Sequence, residues 1–421
     1  MEDIDSFVST GTPYETKVPR ENVFNVFMGK KSIFKDKDML ASSFMPDDIL
    51  HRDDEITQIS SVLAPAIRGY KPNNLFIYGN VGTGKTITTR FVLTQLSHVS
   101  GCGHGIKVVY VNCRMKNVAD TEYRLVAQLL KEFGVYVPDT GISTNTLYKR
   151  FFEEVELYKG IIIIALDEID TIFKKIGDDF LYNLTRIGSE LEHAKIAIIG
   201  ITNDLSFYDG LDTRVKSSLG EDTIIFKPYN ALQLHDILID RAKAGLYNLP
   251  DEGVINKCAA IAAQEHGDAR RALDLLRVAA EISERHGDEW VEENHVDMAQ
   301  EKIELDHIIE TVRSQPKHSL ALIHSVIKMN EENAKKNGWA DRRLLTGDIY
   351  DKYKKICDAH AMRPLTQRRV SDLIGELDMM GILNTRVVSK GRYGRTRVIS
   401  LAIPNNLMAR VNNIINERFC N

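Results

Sequence analysis

Gly79-Asn80-Val81-Gly82-Thr83-Gly84-Lys85-Thr86 fits the pattern G-x-x-x-x-G-K-[ST], a phosphate-binding loop. It follows the apolar run Asn74 to Tyr78, which reads as a short buried strand, and precedes a helical pattern from Ile87 to Leu96. Glycines here let consecutive backbone N–H groups of Asn80, Val81, Gly82, Thr83 and Gly84 curl inward onto phosphate oxygens. The helix that follows adds the positive end of its dipole. Lys85 would reach the β- and γ-phosphates, and the Thr86 hydroxyl would ligate Mg2+. About eighty residues on, Ile161-Ile162-Ile163-Ile164-Ala165-Leu166-Asp167-Glu168 reads as a strand ending in two carboxylates. After a P-loop this is a Walker B element. Asp167 would hold Mg2+, directly or through water, and Glu168 would orient and deprotonate the attacking water. The next strand-like run, Ile196 to Thr202, delivers Asn203 to the same sheet edge. An amide there can donate to a γ-phosphate and to the lytic water, or simply serve the turn before Asp204. Arg214 and Arg270 complete the set: either could neutralise charge on a transferred phosphoryl group, or sit in a surface salt bridge.

These residues need a scaffold. The strand-like runs Leu75–Tyr78, Lys107–Asn112, Ile161–Leu166, Ala197–Thr202 and Thr223–Phe226 alternate with helical patterns. That alternation implies an α/β fold with a parallel sheet covered on both faces. From Asn230 to about Lys302 the pattern is purely helical, which suggests a small lid. Beyond Ile308 it stays helical to Gly381 and then switches to period two in Ile382–Val388 and Thr396–Leu401. Helices followed by a basic hairpin describe a winged helix. The expected organisation is therefore an N-terminal arm (1–45), a nucleotide-binding base (46–228), a helical lid (229–302) and a winged-helix domain (303–421).

With 421 residues, 43% of them apolar, the chain has enough material for about three domains. Its longest apolar stretch, Ile161 to Leu166, is far too short to span a bilayer. The opening MEDIDSFVST resembles neither a signal nor a transit peptide, so the expectation is a cytoplasmic, nucleoid-associated protein with no membrane partner. Five scattered cysteines without a C-x-x-C argue against a disulfide framework or zinc site. Cys102 and His104 lie close together, but with no second ligand pair nearby they suggest a loop.

Net charge is −5, yet Arg363 to Arg397 holds eight basic and three acidic residues, a local +5. A basic segment on an acidic chain is a candidate electrostatic footprint for nucleic acid. Within it, Leu365 to Leu377 has an apolar helical face at Val370, Leu373, Ile374 and Leu377, with Thr366 as N-cap. Gln367, Arg368 and Arg369 then fall in the first turn, where a recognition helix meets the major groove. In the turn Ser389 to Arg395, Arg392 or Arg395 could enter a minor groove, with Lys390 and Arg397 on phosphates. Winged helices also serve as protein–protein modules, and basic turns are often merely solvated.

The ordered set GNVGTGKT, LDEID, ITND, LDTRVKSSL, FKPY and GDARRALDLLRVA, followed by a winged helix, resembles the AAA+ replication initiators of archaea. These are related to the largest eukaryotic origin-recognition subunit and to the loader named cell division cycle six. The resemblance runs from about Phe44 to near the end. It implies a slow Mg2+-dependent ATPase that uses ATP and ADP as a switch. Its implied partners are double-stranded origin DNA, the replicative helicase and other initiator copies on DNA. Asn203 would be sensor one, Arg270 sensor two, and Arg214 the arginine acting in trans on a neighbour's nucleotide. Phe44 to Arg52 resembles the box preceding the P-loop, whose backbone borders the adenine; this brings in His51 and Arg52 as cofactor-binding candidates. Tyr229 and Arg241 fall where the family contacts nucleotide at the base–lid hinge. Pro138 to Arg150 resembles the initiator-specific insertion that touches DNA; an ordinary sheet-covering helix is the alternative. Thr213 departs from the proline expected before the arginine, which loosens that turn. Two other classes remain open at this level, a P-loop transcriptional regulator and a clamp-loader-like remodelling ATPase.

Overall fold

Five runs rich in β-branched residues form strands β1 (Asn74–Gly79), β2 (Ile106–Asn112), β3 (Ile161–Asp167), β4 (Lys195–Thr202) and β5 (Glu221–Phe226). In this computed structural model residues 31–99, 105–115, 120–138, 140–337, 344–389 and 395–420 are described. They fall into two units, one ending at Glu292 and the other starting at Glu293. The strands pair in parallel in the order β2-β3-β4-β1-β5. Each extends the expected run by one or two residues, because ladder hydrogen bonds ignore side-chain polarity. Asn74 shows why apolarity misses such ends: its amide donates to Leu219 O and accepts from Ile198 N at 2.8 Å inside the sheet.

Side chains of a strand alternate between faces, and both faces here are covered. Ile161, Ile163 and Ala165 pack with Leu75 and Ile77 against Ile59 and Leu63 of α1 (Asp53–Leu63) and Val92 and Leu96 of α2 (Lys85–Val99). Ile162, Ile164 and Leu166 face the other way, toward α3 (Glu122–Glu132), α4 (Thr144–Tyr158), α5 (Ile169–Ile176) and α6 (Asp179–Glu190). A short helix α7 (Thr213–Leu219) leads into β5. Three lid helices follow: α8 (Ala231–Gly245), α9 (Glu252–Gln264) and α10 (Ala269–His286). Asn230 and Gln233 close a capping box at the start of α8. Residues 31–45 wrap this helical part: Phe34 bridges Leu246, and Lys35 N and Asp36 N both donate to Gly245 O, at 2.9 and 3.1 Å.

The second unit contains α11 (Glu293–Arg313), α12 (Lys317–Asn337), β6 (Leu344–Leu345), α13 (Thr346–Ala359), α14 (Gln367–Met379), β7 (Leu383–Ser389), β8 (Arg395–Leu401) and α15 (Met408–Cys420). The hairpin β7–β8 pairs Leu383 with Leu401 through Ser389 with Arg395, and β6 adds Leu344 opposite Ile399. The two-residue β6 is too short to leave a period-two signal. Val370, Leu373, Ile374 and Leu377 are all buried, and Thr366 caps α14 by accepting from Arg369 N. Asp378 takes both Thr385 N (2.9 Å) and Thr385 Oγ1 (2.8 Å), which fixes the corner from α14 into the hairpin.

Candidate functional site

The P-loop connects β1 to α2, and its glycines are there for space. Gly82 has φ +74°, and a Cβ on it would fall 1.6 Å from Asp268 Oδ1 of the lid. Gly84 has φ +89°, with its Cβ position 2.6 Å from the Tyr229 hydroxyl. Only glycine relieves both the conformation and the contact. Lys85 Nζ donates to Gly79 O at 2.8 Å and Asn80 O at 2.6 Å. Burial lowers the Lys85 pKa to about 8, with Asp167 opposing the shift and Arg270 adding to it. Val81 to Thr86 line a cavity of about 450 Å3, whereas Asn80 contributes its carbonyl to Lys85 and Thr83 outside the lining.

Asp167, the last residue of β3, meets this loop. Thr86 Oγ1 donates to Asp167 Oδ2 at 2.9 Å. Having spent its hydrogen on the carboxylate, that hydroxyl keeps its lone pairs for a hard cation. Glu168 adopts a left-handed backbone (φ 54°) at the start of α5 and pairs with Arg114 at 3.5 Å. Asn203 lines the same cavity just past β4. Thr202 Oγ1, donating to Asp170 Oδ1 (3.1 Å) and accepting from Asp204 N (3.0 Å), braces that strand end. Arg270 reaches the cavity from α10, whose first turn is tied to the loop by Ala269 N donating to Gly82 O at 3.2 Å. Asp268 caps that helix.

At the cavity's apolar end stand Phe44, Met45, Pro46, Ile49 and Ile237, with Tyr229 and Arg241. Arg241 is buried; Nη2 donates to Phe44 O at 3.2 Å and the guanidinium lies 4.6 Å from the Phe44 ring. Its Nη1 is buried with no hydrogen-bond partner, and burial lowers its pKa. His51 and Arg52 correct the sequence reading: neither lines the cavity. His51, in a left-handed conformation, turns away to pair with Asp236 of α8 at 2.8 Å. Arg52 is 3% exposed and is consumed by the scaffold. It donates to Thr83 O (3.1 Å) and Lys227 O (2.7 Å), pairs with Glu55 (3.0 Å) and lies 3.9 Å from the Tyr229 ring.

Arg214 lies outside this cavity, three-quarters exposed and paired with Asp212 at 3.1 Å. Asp212 also caps α7 by accepting from Arg214 N, which serves the turn that a proline would otherwise stiffen. In the expected insertion, Ser143 caps α4 while Leu147, Phe151 and Val155 enter the core, so the helix covers the sheet and leaves its start exposed. On the second unit Arg368 and Arg369 are exposed in the first turn of α14, with Arg369 held by Glu376 at 3.1 Å. Arg397, half-buried on β8, donates Nη1 to Ser371 O at 3.1 Å and so ties β8 to α14. Lys390 and Arg392 lie outside the described residues, and Arg395 is the first residue of β8.

A residue that motif reading passed over is Tyr110 on β2. Its hydroxyl donates to Asp167 Oδ2 at 2.5 Å, on the same oxygen as Thr86. Its sequence signal is faint, a tyrosine opposite Ala165, and needs the strand register to be read.

The parallel sheet, a P-loop facing paired carboxylates, a helical lid that shares the cavity, and a winged-helix unit define an AAA+ ATPase. Residues 68–206 match the AAA domain family, 235–301 the Cdc6 AAA+ ATPase-type lid domain, and 310–411 the CDC6 C-terminal winged helix domain. An ORC1-type DNA replication protein of Thermococcus onnurineus is 48% identical over 389 residues, 91% of each chain. ORC1-type DNA replication protein 1 of Methanosarcina mazei is 49% identical over 387 residues, again 91% of each. The Aeropyrum pernix ORC1 protein, solved in complex with DNA, shares 43% identity and a TM-score of 0.78 over 92% of this chain and 98% of its own. The chain belongs to the family of ORC1-type DNA replication proteins. Among the described residues no helix is long and apolar enough to cross a membrane.

Proposed function

We propose that this chain is an ATP-dependent replication initiator that binds duplex origin DNA and helps recruit the replicative helicase. One observation carries the reading. Lys85 and Thr86, Asp167 and Glu168, Asn203, and Arg270 arrive from four separate segments at a single cavity with an apolar end. The donor set fits a magnesium nucleotide: a buried ammonium, a hydroxyl already donating to a carboxylate, and the orphaned Nη1 of Arg241. Mg2+ bound there would neutralise charge on the β- and γ-oxygens. Thr86 and Asp167 would hold it. Lys85 would add a second positive charge, with the backbone of Val81 to Gly84 cradling the phosphates. The apolar slot beside Tyr229 and Arg241 would take adenine.

For hydrolysis, Glu168 would orient the attacking water and take its proton, and Asn203 would donate to it. Arg270 would sense the γ-phosphate from the lid (229–302) above the base (46–228). Arg214, exposed and outside its own cavity, suits a neighbouring copy's nucleotide. The Aeropyrum pernix relative, solved with DNA, supports placing Arg368 and Arg369 of the winged-helix domain (303–421) at a major groove and Arg392, Arg395 and Lys390 at an adjacent groove or phosphates.

The test is ATP binding by calorimetry together with duplex binding by fluorescence anisotropy. Wild type is expected to bind both, Lys85→Ala to lose nucleotide, and Arg368→Ala/Arg369→Ala to lose DNA. Wild type with no nucleotide affinity in Mg2+, or no affinity for duplex at moderate salt, would refute it.

A further inference from the structure

Resting on the magnesium-nucleotide reading above, we infer that Tyr110 is a positioning residue that sets the metal affinity of this site by holding Asp167 in one rotamer. Asp167 is almost fully buried at the end of β3. Its Oδ1 accepts from Glu168 N at 3.0 Å, while Oδ2 accepts from both Thr86 Oγ1 at 2.9 Å and Tyr110 OH at 2.5 Å. A carboxylate offers about four acceptor positions, so three fixed donors leave one orientation and one open direction. Two of those donors, Thr86 and Glu168, belong to the reacting site itself. Thr86 must also present its oxygen to the cation, so its bond to Asp167 bends with the ligand sphere. Tyr110 has no such second duty.

The surroundings make the phenol a rigid support. β2 and β3 pair in register, Tyr110 with Ala165 and Asn112 with Asp167, so Tyr110 and Asp167 share a sheet face one step apart. Ala165 is the small residue that ends the isoleucine run, and its methyl lets the ring lie across toward Asp167. Arg90, five residues beyond the P-loop lysine on α2, sits 5.4 Å from the ring centroid. A ring clamped between strand and helix, donating a short bond to a metal-holding carboxylate, is the outer support that typically accounts for about 10–100-fold in metal affinity.

The experiment compares wild type with Tyr110→Phe, which deletes only the hydroxyl. A fluorescent ADP or ATP analogue is titrated at fixed EDTA, then at rising Mg2+ and, separately, Mn2+. Tyr110→Phe is expected to bind the analogue normally in EDTA, while the Mg2+ concentration giving half of the Mg2+-dependent tightening rises about 10-fold. An unchanged Mg2+ midpoint overturns the inference. So does a parallel loss of affinity with and without Mg2+, because that is the signature of a general packing defect. Tyr110→Leu, which also removes the ring, should match the phenylalanine variant's Mg2+ midpoint; a normal midpoint there would equally overturn it. Wild type showing no Mg2+-dependent nucleotide binding is a different failure, and it sinks the parent reading.

Discussion

Replacing Arg52 with alanine should unfold the nucleotide-binding unit's tie between three segments, and its size can be worked from the contacts. The guanidinium is 3% exposed and bridges Thr83 O of the P-loop, Lys227 O after β5, and Glu55 of α1, with Tyr229 stacked at 3.9 Å. Truncation would strand Glu55, itself mostly buried, and leave two carbonyls without donors. Breaking a buried pair by removing one partner costs about 3–5 kcal/mol. In a unit of this size each kcal/mol moves the midpoint by about 2–4 °C, so a loss of roughly 10 °C is expected. The measurement is differential scanning calorimetry of the full chain, following the transition that ATP raises and comparing it with the winged-helix transition, which should not move. Arg52→Lys should recover only part of the loss, since one ammonium cannot span two carbonyls and a carboxylate. Glu55→Gln combined with Arg52→Ala should cost less than the sum of the two. A midpoint within 2 °C of wild type for Arg52→Ala would refute the assignment of this arginine to the scaffold.

Four further outcomes are expected. Nucleotide affinity should stay level below about pH 8 and fall above it, because Lys85, whose pKa is lowered to about 8, loses its proton there while phosphate favours the ammonium. Folding responds with the opposite sign: between about 8 and its ordinary 10.5 the unfolded chain holds more protons at this lysine, so stability rises with pH. Calorimetry at pH 7 and 9.5 with Lys85→Met as control checks the first, and a flat wild-type profile rejects it. The isolated chain should hydrolyse ATP slowly, an arginine supplied in trans being worth about 10³–10⁵ in rate; fast monomeric turnover untouched by Arg214→Ala would end that idea. On DNA, Arg368→Ala, Arg392→Ala and Arg395→Ala should each lower the log–log salt slope by about one. Arg369→Ala should lower it less, because Glu376 already holds that side chain; equal slopes in all four variants and wild type would remove these residues from the interface.

The core of the site was legible because its elements are local. A P-loop, a strand ending at Asp167, and the Val370–Leu377 helical face are each written in a dozen consecutive residues, and the strand and the buried helical face lie where the spacing placed them. The side chains of His51 and Arg52 stay outside the cavity although their neighbours Phe44 to Pro46 and Asp48 to Leu50 line it, which linear proximity does not foretell. His51 takes a left-handed backbone and pairs with Asp236, while Arg52 is taken up by Thr83 O, Lys227 O and Glu55. Nothing in a linear pattern reports a positive φ at a histidine. The brace that Arg397 makes to Ser371 O was illegible too, because its partner lies in another element.

The phosphate loop that identified this chain is thus a local statement about backbone and glycine: curl, space and charge are dictated by eight neighbouring residues. The sequence by itself also determined the class of fold, since hydrophobic period is set by which side of an element meets the core. Only the tertiary structure decided how the partners are shared out. Tyr110 reaches Asp167 because β2 and β3 happen to pair in that register. Asp268 sits over Gly82 because the lid closes on the loop. Arg52 serves the scaffold because two carbonyls distant in the chain converge on it. Such contacts depend on distances between segments tens to hundreds of residues apart, and those distances exist only once the sheet and lid have packed.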